Sequence, residues 1–372
     1  ETKDPDLYPK FTSQYTDQTV AANSVIVVCG DKSKVVSNSD MWETSTNYQT
    51  YQTQTTGFDG EGQITSAITY VTSENNPKVY WVTGHGEASE SDLSTNFSDA
   101  INKNNVEISD LALMTDDIPE DAEELVIMSP TTDFSEDEAN KVITYLENGG
   151  KLLMFTSYTG TDMPNLDSIL ENYGVKRSSG IVVETDSQHY YPQMPYYLLP
   201  NIQSDDITTE VKSNYILMPV AQAIQKLDSY RDTITIKSLL TTTEDAYIEN
   251  DPENSTWSKS ADSETGAFDL GVSITETVDD KETQIIYFSS ASMLSSQIDQ
   301  AISGANSKLA ATALTSMCDV EQTVVIPSKS TSYTNLVFTQ GAVNTWSIIT
   351  IAGIPLVLVV IGVMIWMKRR KQ

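Results

Sequence analysis

The hydrophobic and polar positions of residues 78–184 form alternating blocks of two kinds. Short apolar runs predict strands, of which 125–128 is fully apolar and typical of a buried parallel strand, whereas apolar residues that recur at helical spacing predict helices. The pattern predicts strands at 79–82, 106–113, 125–128, 152–155 and 181–183, and helices at 91–102, 135–148 and 166–173. Because strand and helix alternate, we expect a parallel sheet with helices on both faces.

One of these helices carries both a start signal and a stop signal. Ser135 and Glu138 have the spacing of a capping box, in which each side chain accepts a hydrogen bond from the backbone N–H of the other residue. Gly149 and Gly150 follow the last apolar position and end the helix.

The segments on either side of this block predict further elements. Before residue 78 we expect strands at 24–28 and 34–36 around the turn Gly30-Asp31, a loop or edge ribbon at 41–62 and a helix at 61–72. After residue 184 we expect an irregular segment or lid at 188–204, strands at 215–220, 233–239, 267–274 and 284–289, a mobile acidic loop at 244–265, and helices at 292–302 and 306–317. The chain therefore adds a β-rich part to the parallel sheet.

The C-terminal residues predict a transmembrane helix. Residues 346–367 contain no charge, and as a helix they would extend about 33 Å, enough to cross the hydrocarbon core of a bilayer. Trp346 and Trp366 stand where aromatic rings favour the membrane interfaces, and Pro355 predicts a kink. The basic cluster at 368–371 favours a cytoplasmic C-terminus, which places the rest of the chain outside the cytoplasm.

Charge excludes one class of function. The chain contains 52 Asp and Glu against 22 Lys and Arg, and the part before the basic tail has a net charge of −34. So acidic a surface repels phosphate backbones, which excludes nucleic-acid binding. The hydrophobic content of 39% is still sufficient for a large core.

The two cysteines predict neither a disulfide framework nor a metal site. Cys29 lies in the apolar run 25–29, where we expect a small buried side chain. Cys318 ends a helical pattern, and the spacing of the two residues gives no support for a bridge between them.

The domain organisation follows from these segments. No targeting signal precedes the ectodomain, and the sequence opens with Glu1, so we expect that an N-terminal part is missing by processing or truncation. The expected divisions are the end of a truncated α/β domain with a connector (1–77), an α/β ectodomain (78–325), a stalk (326–345), a transmembrane helix (346–367) and a basic cytoplasmic tail (368–372).

The sharpest local motif is Gly84-His85-Gly86-Glu87. It follows a predicted strand and precedes a helix, which is where open α/β sheets bind ligands. His85 and Glu87 have the chemistry of a base and its partner, or of two metal ligands, but a catalytic metal needs about three protein ligands and the chain has one further His. A turn whose His bonds to backbone carbonyls is the simpler interpretation, and ligand or partner binding lies between the two.

The neighbouring strand ends offer hydroxyl groups. Ser129 and Thr131 follow the strand at 125–128, and Ser157 follows the strand at 152–155. Either serine could pair with His85, although hydroxyls at strand ends more often cap the next helix. The sequence has no G-x-S-x-G elbow, P-loop or EF-hand pattern, so we expect no ATP hydrolysis by this chain and no cofactor.

Several segments together resemble a known family. They are Tyr8-Pro9, Tyr15–Asp17, Ser24–Val28, Phe58–Glu61, Thr65–Ile68, Val79–Glu87, Leu125–Pro130, Gly149–Leu152, Pro355 and Trp366–Arg370. In kind and order they resemble the GldG family, the auxiliary proteins of uncharacterised or gliding-motility-type ABC transport systems. The resemblance covers nearly the whole chain and is most specific at residues 84–87.

The resemblance implies a Rossmann-like α/β fold, similar to class I glutamine amidotransferases but without their nucleophile. It also implies a membrane-bound partner of an ABC permease and an ATPase. Family members usually carry an N-terminal span and further α/β structure, which this sequence lacks, so it resembles an N-terminally truncated member. The family provides no catalytic or ligand-binding residues that can be transferred to this chain.

These observations favour a non-enzymatic accessory subunit of an ABC transport system, anchored in lipid by residues 346–367. Its extracytoplasmic ectodomain would bind substrate or a partner, with Gly84–Glu87, Ser129, Thr131 and Ser157 as candidates. Two alternatives stay open. One is a membrane-anchored hydrolase or amidase-like enzyme centred on His85 and Glu87, and the other is an acidic surface adhesin.

Overall fold

The structure, a computed structural model, describes residues 3–4, 7–16, 19–47, 52–73, 76–252, 256–318, 326, 329–330 and 338–370. Within these residues the chain is a mixed α/β protein with one large mixed sheet, three smaller sheets and one long apolar helix at the C-terminus.

The described part of the chain contains the following elements. The strands are β1 (Val25–Cys29), β2 (Lys32–Val36), β3 (Trp42–Asn47), β4 (Gln52–Phe58), β5 (Lys78–Val82), β6 (Glu107–Leu111), β7 (Glu124–Met128), β8 (Lys151–Phe155), β9 (Val175–Val183), β10 (Tyr190–Tyr191), β11 (Met194–Leu198), β12 (Asn201–Ile202), β13 (Met218–Pro219), β14 (Gln222–Lys226), β15 (Ile234–Thr241), β16 (Tyr247–Glu249), β17 (Asp269–Val278), β18 (Lys281–Phe288) and β19 (Lys329–Ser330). The α-helices are α1 (Pro9–Thr12), α2 (Gly60–Thr72), α3 (Thr95–Lys103), α4 (Glu136–Glu147), α5 (Pro164–Asn172), α6 (Ser296–Ala301), α7 (Ala305–Met317), α8 (Gln340–Ile348) and α9 (Ile354–Arg370). Short 3-10 helices lie at Ser39–Met41, Glu90–Asp92, Thr209–Val211 and Ala291–Leu294, and a π-helical turn lies at Ile349–Gly353.

The core of the large sheet is parallel. Its strands run in the order β6-β5-β7-β8-β18, and each is parallel to its neighbours. The remaining strands of the large sheet join it in antiparallel pairs beyond β18. The central strand β7 is buried along its whole length and β8 along all but its first residue, because both faces of the sheet are covered there, whereas the edge strand β6 is largely exposed.

Side chains of the parallel strands alternate between two hydrophobic cores, as the two-residue period of a strand requires. Trp81 and Phe155 pack in the core that also contains residues of α3 and α7. Ile127 and Met154 pack in the core that contains residues of α4 and α5. The expected helices on both faces of the sheet are therefore confirmed.

The prediction that residues 181–183 form the fifth parallel strand is wrong, because these residues form a strand with antiparallel neighbours. These residues belong to β9, which is antiparallel to β14 and β16, and the fifth parallel strand is β18. The local pattern could not show this, because a fully buried strand is equally apolar in parallel and antiparallel surroundings. The partner β14, which decides the direction, is about forty residues further along the chain.

Two other expected irregular segments contain regular structure. The lid expected at 188–204 contains β10, β11 and β12. β11 pairs with β10 on one side and with β13 on the other in a small antiparallel sheet. The acidic loop expected at 244–265 contains β16, and its Tyr247 is buried. Residues 253–255 of that loop lie outside the described part of the chain.

The N-terminal hairpin corrects the expectation for Cys29. β1 and β2 pair around Gly30-Asp31 as predicted, but Cys29 is exposed and not buried. The hairpin packs against α2 and, among the described residues, forms a separate sheet of two strands. Because such a small sheet is not covered on both faces, its apolar run includes positions that face solvent. Cys318 is buried, and both thiols are free.

The C-terminal helix matches the expected transmembrane segment in length and composition. A continuous helical stretch runs from Gln340 to Arg370, with a mean hydropathy of 2.9 in its most apolar part and no burial against the rest of the protein there. Pro355 is accommodated by the π-helical turn, in which the N–H of Ile354 donates to the carbonyl of Ile349. Residues 327–328 and 331–337 of the expected stalk lie outside the described part of the chain, and the five-part domain division stays a prediction.

Candidate functional site

The carboxyl ends of β5, β7 and β8 bring together the residues that sequence analysis selected. Thr131 donates its backbone N–H to the carbonyl oxygen of His85 at 2.8 Å, which ties the loop after β7 to the loop after β5. The hydroxyls of Ser129 and Ser157 lie 2.8 Å apart, which joins the loops after β7 and β8. The candidates therefore form one edge of the sheet but separate into two hydrogen-bonded groups.

His85 is enclosed rather than presented to solvent, with 4% of its surface exposed. Its Nδ1 lies 3.1 Å from Glu87 Oε1, and its Nε2 lies 3.2 Å from Glu138 Oε2. The second oxygen of Glu87 accepts the backbone N–H of His85 at 2.6 Å. The ring of His85 therefore joins two carboxyl groups, one at each of its nitrogens.

Glu138 is held in its ionised form by donors. Burial is the largest influence and raises the pKa of this carboxyl, but the hydroxyl and backbone N–H of Ser135, together with His85, outweigh it and lower the pKa below the ordinary value. Ser135 and Glu138 form the predicted capping box at the start of α4. The cap therefore also provides the second carboxylate for His85.

Thr131 and Thr132 fix the backbone of the motif. Both donate their backbone N–H groups and their hydroxyls to the carbonyl oxygen of His85, at distances from 2.8 to 3.2 Å. Gly86 has φ +75°, and a Cβ placed on it would overlap Thr131 Oγ1. Only glycine fits this position, because both the backbone conformation and the close approach exclude a side chain.

Gly84 and Gly86 leave the surface of the loop bare. Gly84 has φ +123° and open space on its side-chain face, and both glycines are exposed, as are Thr131 and Thr132. The surface at this edge of the sheet is therefore formed by exposed backbone and by threonine side chains. The side chains of Glu87 and Glu138 are buried beneath it.

Ser129 adopts an unusual backbone conformation. It follows the buried strand β7 directly and has φ +53°, in the left-handed region that residues with a Cβ rarely adopt. Its backbone N–H donates to the carbonyl of Phe155 at 2.8 Å, and its hydroxyl donates to Ser157. Neither serine is hydrogen-bonded to His85, so the serine–histidine pair considered from the sequence does not form among the described contacts.

Glu138 belongs to the site, although its position in the sequence predicts only a helix cap. Its contact with His85 spans 53 positions, which a local pattern does not show. The same holds for Phe134, whose ring centroid lies 4.2 Å from that of His85. One signal in the sequence indicates the contact: an acidic residue of a capping box follows one strand of the sheet, and a histidine follows the neighbouring strand.

Two further observations bear on other kinds of site. Among the described residues, no group of three or more His, Cys, Asp and Glu side chains is arranged to hold a metal ion. An open groove of about 800 Å³ lies at the opposite edge of the sheet, between the loop at 117–123 and α4. It is lined by Asp117, Glu120, Glu123 and Asp137 among others, and it does not coincide with the loops around His85.

Comparison with known proteins decides the family. A family model described as an ABC-type uncharacterized transport system matches residues 76–316, which includes the whole parallel sheet and the loops around His85. The chain belongs to this family. The C-terminal helix of this transport-system protein lies beyond the matched residues. No curated protein matches the sequence.

Solved structures are similar only in a general way. The mmIFT52 N-terminal domain is 15% identical, with 64% of this chain and 96% of that domain covered and a TM-score of 0.47. A ThuA-like protein from Parabacteroides merdae ATCC 43184 is 13% identical, with coverage of 72% and 99% and a TM-score of 0.35. The exo-beta-1,4-mannosidase Op5Man5 from Opitutaceae bacterium strain TAV5 is 10% identical, with coverage of 68% and 37% and a TM-score of 0.33. Similarity at this level carries no functional argument.

Proposed function

We propose that this chain is a non-enzymatic, membrane-anchored accessory subunit of an ABC transport system, with its α/β body outside the cytoplasm. Membership of the transport-system family supports the association with a transporter. The long apolar helix at the C-terminus supports the anchor, and its exposed surface gives an ABC permease a place to pack.

The observation that carries the proposal is the exposure of the helix Gln340–Arg370. Its most apolar part has no burial against the rest of the protein. An uncovered apolar surface of this size is unstable in water and is stabilised by lipid or by other transmembrane helices.

Purification from native membranes in mild detergent tests the association. We expect a permease and an ATPase to co-purify with the full chain, and a variant with Leu356 and Val360 changed to Asp to lose both. Repeated isolation of the wild-type chain as a lone monomer would count against the proposal.

We further propose a closer relationship to the GldG family and a Rossmann-like core. The strand order β6-β5-β7-β8-β18 supports the second point, because it matches the doubly wound order in which the chain reverses between its first and third strands. At that reversal lie the loops of Gly84–Glu87 and Ser129, which we propose as the surface that binds substrate or partner.

Cys29 offers a test of the topology. It is exposed in the α/β body, whereas Cys318 is buried. We expect a membrane-impermeant maleimide to label the protein in intact cells, and the Cys29→Ser variant to remain unlabelled. Labelling of Cys29 only after the cells are broken would place the body in the cytoplasm.

One observation favours a second candidate, a serine hydrolase. Ser129 combines a positive φ with a position directly after a buried parallel strand, as nucleophiles do in elbow turns. The nearest histidine of the site, His85, is bonded to two carboxylates and not to this hydroxyl. Loss of biological activity in Ser129→Ala, with folding intact and transporter assembly unchanged, would favour the enzyme.

A further inference from the structure

The start of the C-terminal helix is attached to the β10–β11 hairpin. The backbone N–H of Gly341 donates to the carbonyl of Ser187 at 2.7 Å, and the hydroxyl of Thr339 donates to Gln188 Oε1 at 3.0 Å. At the tip of the hairpin, the backbone N–H of Gln193 donates to Gln340 Oε1 at 2.9 Å. These contacts fix where the hairpin lies along the helix.

The side chain of Gln340 shows how far the hairpin tip reaches towards the membrane. Its Nε2 donates to Asn344 Oδ1 at 2.7 Å, so the amide group extends along the helix in the direction of the apolar segment. Gln193, which is bonded to the same amide group, therefore lies level with the turn of helix between residues 340 and 344.

Counting back along the helix locates this level relative to lipid. A hydrocarbon core of about 30 Å that ends near Met367 begins near Ile348, since each helical residue rises about 1.5 Å. The headgroup layer on each side is about 5–8 Å thick, so it covers roughly the next three to five residues before Ile348. The turn of helix beside the hairpin tip, residues 340–344, overlaps the outer end of this layer.

The composition of the hairpin suits that environment. Residues 190–203 carry no charge, in a chain that contains 52 acidic residues. Met194 is 38% exposed, and Tyr190, Tyr191 and Pro192 are partly exposed. Tyrosine has an apolar body and a polar tip, and it is enriched where hydrocarbon meets water.

We propose that the tip of the hairpin, residues 191–194, rests in the lipid headgroup layer beside the transmembrane helix and forms a second membrane contact. This inference depends on the proposed function in one respect, that the C-terminal helix crosses the bilayer. A helix alone lets the α/β body tilt relative to the membrane, whereas a helix and a hairpin tip together limit that tilt. The tilt of the loops around His85 relative to the membrane plane then follows from lipid contact.

Spin labels at two exposed methionines test this. Met194→Cys and Met114→Cys are made in the full chain with Cys29→Ser, labelled, and reconstituted without partners into phosphatidylcholine vesicles. Met114 is the matched control, because it is 73% exposed and follows β6 at the edge of the sheet that holds the candidate site. We expect collisions with a water-soluble nickel complex to be several-fold fewer at position 194 than at position 114.

Vesicle flotation separates the two proposals. If the chain does not float with the vesicles, the membrane anchor is wrong. If it floats but the label at position 194 is as accessible to nickel as the label at position 114, the anchor stands and the hairpin contact is overturned. Protection at position 194 that appears only when a permease is added also overturns the lipid contact, because it would identify a protein partner at that surface.

Discussion

Two buried glutamates near opposite edges of the sheet behave in opposite ways. Glu138 lies in the first turn of α4 near the carboxyl ends of the strands and is 3% exposed, whereas Glu124 begins β7 at the amino end and is fully buried. Each has one oxygen, Oε1, without a hydrogen-bond partner among the described residues. They differ at the other oxygen.

The second oxygen determines the charge state. Oε2 of Glu138 accepts bonds from both donors of Ser135 and contacts His85, and its pKa is lowered. Oε2 of Glu124 contacts only the weak donor of Cys318, at 3.3 Å, among the described residues, and burial raises its pKa well above the ordinary value. Burial raises the pKa of both carboxyl groups, and only at Glu138 are the donors strong and numerous enough to outweigh it.

The largest expected effect follows from removing His85. In His85→Ala, the buried carboxyl groups of Glu87 and Glu138 lose the ring that contacts both of them, which should lower the free energy of unfolding by about 3–5 kcal/mol. Urea unfolding of the full chain in mild detergent, followed by tryptophan fluorescence, measures this. His189→Ala is the control, because that side chain is partly exposed and its carboxylate contact is 4.0 Å long. Equal stability of wild type and His85→Ala would show that the two carboxyl groups do not depend on the ring of His85.

Glu138→Gln should produce a smaller loss with a pH dependence. The lowered pKa of Glu138 stabilises the folded state above the ordinary value of 4.5, and this contribution disappears as the pH falls through the lowered pKa. We expect a loss of about 1.5–3 kcal/mol at neutral pH, since hydrogen bonds to a charged group are removed. The difference from wild type should shrink below pH 4.5, whereas Glu136→Gln, an exposed change in the same turn, should show neither effect.

The opposite sign is expected for Glu124→Gln. The raised pKa means that the folded state holds a proton which the unfolded chain releases above pH 4.5, so this residue makes the protein less stable as the pH rises. The amide removes that dependence and should stabilise the protein at neutral pH by about 1–2 kcal/mol. The melting temperature from pH 5 to 8 measures it, with exposed Glu120→Gln as control. A flat difference between variant and wild type over this range would mean that Glu124 is already ionised.

Local patterns predicted the elements on which this comparison depends. The apolar runs gave β5, β7 and β8, and the cap at Ser135 and the two glycines after it gave α4 almost to the residue. Such signals are contained within one turn or one strand, so a single sequence displays them.

Contacts between distant parts of the chain were not predicted. The bond between Glu138 and His85 and the contact between Glu124 and Cys318 join segments 53 and 194 positions apart. The predictions for the pairing of β9 and for the burial of Cys29 were wrong for the same reason. Both properties depend on which distant segments pack beside an apolar run, and the run itself does not show this. The binding role of the loops around His85 stays a prediction.

The smallest expected effect tests whether the capping serine causes the difference in pKa between Glu138 and Glu124. Ser135→Ala removes the hydroxyl that bonds Glu138 at 2.7 Å but keeps the backbone N–H at 2.9 Å, so the pKa of Glu138 should rise part of the way towards its ordinary value. Loss of the cap costs about 1 kcal/mol, and the acid-unfolding midpoint should move to higher pH. Ser89→Ala is the matched control, because it breaks a second capping box, around the exposed Asp92. If both variants moved the acid midpoint equally, general helix capping rather than the charge on Glu138 would explain the acid sensitivity, and the contrast with Glu124 would lose its basis.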